Sequence, residues 1–144
     1  MIQTDLKGNI QFKKSVATWQ AAIQLAAQPL VTKKIITPAY VEAIIQNVNE
    51  NGNYFILLPE IAMPHARPEF GSLKDGLSFL KLAEPVFFPG QVPVTIFFVI
   101  AAATDDGHLE MIASLGELLS DPKVTEQLKH VTDTTELLTL VADY

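Results

Sequence analysis

The chain has 144 residues, 49% hydrophobic and 18% charged, a balance that excludes disorder and allows one domain, residues 1–144, with a substantial core. The formal net charge is −6, and no run of Lys and Arg is long enough to track a phosphate backbone, which argues against nucleic acid as a partner. With no cysteine there are no disulfides, zinc–thiolate sites or thiol nucleophiles, and the first six residues carry no signal pattern, which fits a cytoplasmic protein.

In chain order, Gly8-Asn9-Ile10-Gln11-Phe12 reads as a turn into a short strand. Thr18 is a candidate N-cap for a helix from Trp19, with Ala22, Ile23, Ala26 and Leu30 at helical spacing, and Pro29 is expected to kink or end it. Thr37-Pro38 marks a second helix start, a capping residue followed by proline at the first helical position. Val41, Ile44, Ile45 and Val48 share one face of that helix, and Asn51-Gly52-Asn53 stops it. Strands are expected over 54–58, 77–82 and 94–102, where aromatic and branched residues concentrate. The last is almost wholly apolar, so it should lie centrally with both faces covered.

From Leu109 the period becomes helical through Leu119, and Asp105-Asp106-Gly107 before it reads as a turn with one aspartate as cap. Ser120-Asp121-Pro122 closes that helix and opens the next, with Val124 and Leu128 facing inward. Thr132-Asp133-Thr134 precedes a last helix bearing Leu137, Leu138 and Val141. Helices, then strands, then helices predict a layered α/β domain with helices on both faces of a mixed sheet.

Two histidines stand at expected strand exits, and imidazole is the side chain whose ordinary pKa suits chemistry near neutral pH. His65 follows Pro64, whose fixed φ stiffens the approach. Arg67 can aim a planar, permanently charged fork at a phosphate on His65; the same spacing also allows a plain surface pair with Glu69. His108 falls in the first turn of a helix, where free N–H groups favour an anion, although a polar residue is also simply tolerated there. Met63, Phe70 and Ile61 are candidates for an apolar rim, each equally readable as core, and His130, near a helix C-terminus, carries no assigned chemistry. A metal site would need more ligands; Glu69, Asp105 and Glu110 exist, but no compact ligand spacing does. No glycine-rich phosphate loop occurs.

The segment Ile61-Ala62-Met63-Pro64-His65, the helix start from Thr37 to Glu42, and His108 ahead of Ser114-Leu115 together resemble the mannitol/fructose-type enzyme IIA proteins of the bacterial sugar phosphotransferase system. The resemblance runs over nearly the whole chain. It implies a three-layer α/β/α sandwich around a mixed sheet. It implies that His65 accepts a phosphoryl group, as the tele-phosphohistidine, from the carrier HPr and passes it to a cysteine of a cognate enzyme IIB. His108 would orient the phosphate. Membrane enzyme IIC would be involved only indirectly, with no cofactor and no metal. Mannitol-type members carry an arginine near the end of the second helix, where this chain reads Ile45-Gln46-Asn47-Val48-Asn49. The His65-Ala66-Arg67 segment instead resembles the ascorbate-type branch, which makes Arg67 the candidate charge stabiliser and L-ascorbate or a related sugar acid the expected substrate. Two other readings stay open: a regulatory, nitrogen-related enzyme IIA that acts by binding proteins, and a small metal-dependent hydrolase.

Overall fold

The computed structural model describes residues 2–144. Four strands form one sheet in the order β1-β3-β4-β2. They are β1 (Ile10–Lys13), β2 (Glu60–Ala62), β3 (Gly76–Phe88) and β4 (Val92–Ala101). β3 and β4 pair antiparallel, while β1 joins β3 and β2 joins β4 in parallel, so the sheet is mixed as expected. Helices α1 (Ile2–Leu6), α2 (Trp19–Thr32), α3 (Pro38–Asn51), α4 (Asp105–Leu119), α5 (Pro122–Leu128) and α6 (Thr134–Leu140) complete the chain.

β4 shows why two helical layers are needed. Phe97, Val99 and Ala101 bury against α2 and α3, whereas Ile96, Phe98 and Ile100 bury against α1, α4, α5 and α6. The two-residue alternation of a strand thus fills two cores from one central element. Complete burial of each such side chain stabilises the fold by roughly 1.5–3 kcal/mol.

The helix starts follow their caps. Thr18 Oγ1 accepts from the Ala21 N–H, and Thr37 Oγ1 from the Tyr40 N–H with Pro38 at the first helical position. Pro29 does not end α2, which continues to Thr32. The proline removes the donor that would serve the Leu25 carbonyl, and the Gln11 side chain of β1 supplies one at 2.7 Å instead.

Three expectations are corrected. The apolar run 54–58 is not a strand but a stretch of turns, and the strand is Glu60–Ala62. β3 extends past Leu82 to Phe88, with a register shift between Lys81 and Val86 that accommodates Pro85. α4 begins at Asp105, because Thr104 is its cap and its hydroxyl accepts from the Gly107 N–H at 3.0 Å. Among the described residues, no helix is long and apolar enough to cross a membrane.

Candidate functional site

β2 and β4 run parallel, and the chain leaving β2 continues beside β4 as far as the Ile100 N–H on Pro64 O, so the segments that follow them meet at one end of the sheet. The first carries His65 and the second leads through the Thr104 cap to His108. Their imidazole rings lie with centroids 5.2 Å apart. The two histidines, 43 positions apart in sequence, therefore share one site.

The backbone around His65 is tied at several points. The Met63 N–H donates to Phe55 O at 3.0 Å, and the Ile100 N–H donates to Pro64 O at 3.0 Å. The Tyr54 hydroxyl donates to His65 O. The Ala66 N–H donates to the Tyr40 hydroxyl at 3.1 Å, which in turn donates to Ile100 O at 2.8 Å. Burial pushes the Tyr40 phenol up to about 12, so it remains a donor at any physiological pH. Tyr54 is also held: its phenol is raised by burial and takes a hydrogen bond from Asn47. Its ring meets the His65 ring edge-on at 5.5 Å.

The imidazole of His65 is fixed as well. Its Nδ1 lies 2.7 Å from Met63 O. A carbonyl oxygen only accepts, so Nδ1 carries the proton and Nε2 keeps its lone pair. Burial lowers the His65 pKa from 6.5, opposed by the bond to Met63 O, and nearby His108 lowers it further. His108 is also lowered by burial, with Asp105 pulling the other way. Both shifts favour the neutral ring. Among the described residues, His108 Nδ1 is buried without a hydrogen-bond partner.

Arg67 takes the plainer of its two readings: its Nε donates to Glu69 at 2.7 Å, and its side chain is 75% exposed. A single 3₁₀ turn, Pro68–Phe70, follows it and is tied to the start of α3 by the Thr37 N–H on Gly71 O. At Gly71, with φ 130°, an added Cβ would lie 2.1 Å from Thr37 Oγ1, so only glycine permits this approach. Of the rim candidates, Ile61 and Met63 are buried in the core beneath α4, and Phe70 is exposed. His130 pairs with Glu126, far along the chain from both site segments.

Sequence reasoning missed Tyr40 and Tyr54. An aromatic on the apolar face of a helix or in an apolar run reads as core, and nothing in the spacing shows where its hydroxyl goes. It also took the Asp105–Gly107 stretch for a turn, although Thr104, three residues before Gly107, carries the usual capping signal.

Comparison with known proteins fits this geometry. Residues 6–144 match the model of the phosphoenolpyruvate-dependent sugar phosphotransferase system EIIA 2 family. The mannitol-specific cryptic phosphotransferase enzyme IIA component of Escherichia coli K12 is 36% identical over 137 residues, 94% of this chain and 93% of that protein. The ascorbate-specific PTS system EIIA component of the same strain is 32% identical over 136 residues, 92% of this chain and 88% of that protein. The enzyme IIA of the Escherichia coli mannitol system, solved in complex with phosphorylated enzyme IIB, matches with a TM-score of 0.81 at 31% identity, over 95% of this chain and 96% of that one. The chain belongs to the type 2 EIIA family of the sugar phosphotransferase system, whose members are phosphotransferases.

Proposed function

We propose that the chain carries a phosphoryl group from phospho-HPr to a cognate enzyme IIB, with His65 Nε2 as the atom that bears it. The observation that carries this reading is the Nδ1–H bond to Met63 O, which leaves Nε2 as the only nucleophilic nitrogen of the ring. In the first step the Nε2 lone pair attacks phosphorus and the P–N bond of the donor phosphohistidine breaks. In the second, a cysteine thiolate of enzyme IIB attacks the same phosphorus. An S–P bond forms and Nε2 recovers its lone pair. Through both steps Nδ1 keeps its proton, and Met63 O stabilises the positive ring of the phosphorylated state.

Such transfer needs positioning and charge stabilisation more than covalent machinery. His108, whose ring lies 5.2 Å from that of His65, orients the phosphoryl oxygens. Arg67 stabilises their charge by leaving Glu69 when the phosphoryl group is present; an exposed pair of this kind is worth only about 0–1 kcal/mol, so the exchange is cheap. Among the described residues, Leu57, Phe70, Leu73 and Leu109 are large exposed apolar side chains within about eight positions of one of the two histidines. They supply the surface on which a partner protein excludes water during transfer. The similar enzyme IIA solved in complex with a phosphorylated enzyme IIB supports an enzyme IIB as the acceptor.

The sugar is proposed to be L-ascorbate or a related sugar acid, on the likeness of the His65–Arg67 segment to the ascorbate-type branch. The 36% identity to a mannitol-type relative supports mannitol as the second reading. Incubation with phosphoenolpyruvate, enzyme I and HPr is expected to label the chain with an acid-labile phosphate, and His65→Ala is expected to abolish the label. A label that survives this substitution refutes the assignment. Transfer from the labelled chain to purified ascorbate-type and mannitol-type enzyme IIB then separates the two sugars, the faster acceptor naming the pathway.

A further inference from the structure

The opposite end of the sheet carries a feature that phosphoryl transfer does not use. A cavity of about 520 Å³ opens there on the α4–α6 face, within the range of about 300–1,000 Å³ usual for small-molecule sites. It lies some six residues of β4 from the strand ends that lead to the histidines, or about 20 Å. The sequence has no cationic run, yet the fold gathers Lys13, Lys14, Lys81 and Lys129 around this one cavity, from the end of β1, the middle of β3 and the turn after α5. In a chain with 10 basic residues and a net charge of −6, that is a local reversal of sign.

Lys81 is the built part of the site. Its ammonium donates to Lys129 O at 2.7 Å and Val131 O at 2.8 Å. An ammonium has three donors, so one remains. The two backbone acceptors hold this cation in place before any ligand arrives. Lys13 and Lys14 enter no ion pair among the described residues and are exposed. The carboxylates nearby are largely committed: Glu126 faces Lys129 and His130, Glu136 accepts from the N–H and hydroxyl of Thr132 and attracts Lys81, and Asp133 accepts from the Glu136 N–H.

Glu60 also lines the cavity, with Thr95 and Thr132. Its backbone is left-handed, φ 65°, and the β2–β4 register shifts immediately after it. Such a bulge re-aims a side chain at the cost of local strain. A carboxylate among lysines would repel a bare anion, but it suits a ligand that also presents hydroxyl donors. Phe12, Leu82 and Val131 supply apolar wall.

We propose that this cavity is a second binding site, for a small polyhydroxylated organic anion carrying a phosphate monoester or carboxylate groups. Lys13, Lys14 and the remaining donor of Lys81 take the anionic group, Glu60 and Thr95 take the hydroxyls, and the Phe12 ring covers the carbon skeleton. The proposal is independent of which residue is phosphorylated. The test is a ¹⁵N NMR titration of the full chain with glucose 6-phosphate, with galactarate and with neutral glucose, at constant ionic strength set by sodium chloride. Saturable shifts at Lys13, Glu60, Lys81, Thr95 and Thr132 with one of the two anions are expected, and the anion that saturates names the group recognised. Lys13→Gln/Lys14→Gln, whose exposed side chains leave the fold intact in a thermal melt, is expected to weaken that binding roughly ten-fold or more. The proposal is overturned if neither anion saturates by about 10 mM, if glucose or salt gives the same shifts, or if the double variant binds as tightly as the parent.

Discussion

His65 and His108 sit side by side, but the chain holds them by opposite means. Around His65 the main chain from Met63 to Ala66 is pinned by Phe55, Ile100, Tyr54 and Tyr40, and the ring itself is pinned by Met63 O. His108 rides the first turn of a helix whose cap is satisfied by Thr104, and its own buried Nδ1 has no partner among the described residues. The difference separates two tasks. A nucleophile needs one tautomer and one direction of approach. A group that assists needs hydrogen-bonding capacity left unspent until the charge arrives.

Removing the His108 ring should have the larger effect. His108→Ala is expected still to accept phosphate from HPr but to pass it on about one to two decades more slowly, the loss of one hydrogen bond to a charged group at roughly 1.5–3 kcal/mol. Rapid-quench transfer to enzyme IIB measures it, and an unchanged rate would make His108 purely structural. Loosening the pinned side comes next. Tyr40→Phe leaves the Ala66 N–H and Ile100 O without their shared partner, so urea melts should show a loss of about 1–3 kcal/mol. The ¹⁵N spectrum of His65 should then report a mixture of tautomers where the parent shows Nδ1–H alone. A single tautomer in that variant would show that the tyrosine braces the fold and not the ring.

Arg67 tests whether a third group belongs to the assisting side. Arg67→Ala is expected to slow transfer from phospho-HPr, Arg67→Lys to keep part of the rate, and neither to shift the melt by more than about 0.5 kcal/mol, since the resting pair with Glu69 is exposed. Wild-type transfer in Arg67→Ala would leave the charge to His108 and backbone groups. The smallest expected effect is on pH dependence. Both histidines have folded pKa values below 6.5, so the unfolded chain takes up protons first as the pH falls. Their contribution to stability is thus complete above about pH 6.5 and declines below it, through the lowered folded values. His65→Gln should flatten that decline in melts between pH 7 and 5.

The same contrast explains what the sequence revealed. The caps at Thr18 and Thr37, the central burial of β4 and the meeting of the two histidines all follow from local signals: a capping hydroxyl, an unbroken apolar run, a stiff Pro-His step. The run 54–58 misled because Phe55 is buried against Phe88 and Tyr54 against His65, so its apolar character reflects tertiary packing of turns and not pairing in a sheet. α1 is five residues long, too short for a helical period to show, and only docking of Ile2 and Leu6 beneath the sheet reveals it. The tyrosine hydroxyls and the lysine-lined cavity join residues from distant segments, which no spacing in one sequence encodes.

The sheet's borders have a consequence for self-association. Its outer strands are β1, four residues ending in Lys13, and β2, three residues opening on a charged bulge at Glu60. Long, flat, apolar borders would invite a second copy to add its own strand and lock on through main-chain bonds. Short, charged and bulged ones do not. Most of the large exposed apolar side chains among the described residues lie instead outside the strands, where contact is made by side chains alone and can be released after each encounter. A carrier that must leave its donor before meeting its acceptor is thereby protected from sticking to itself in between.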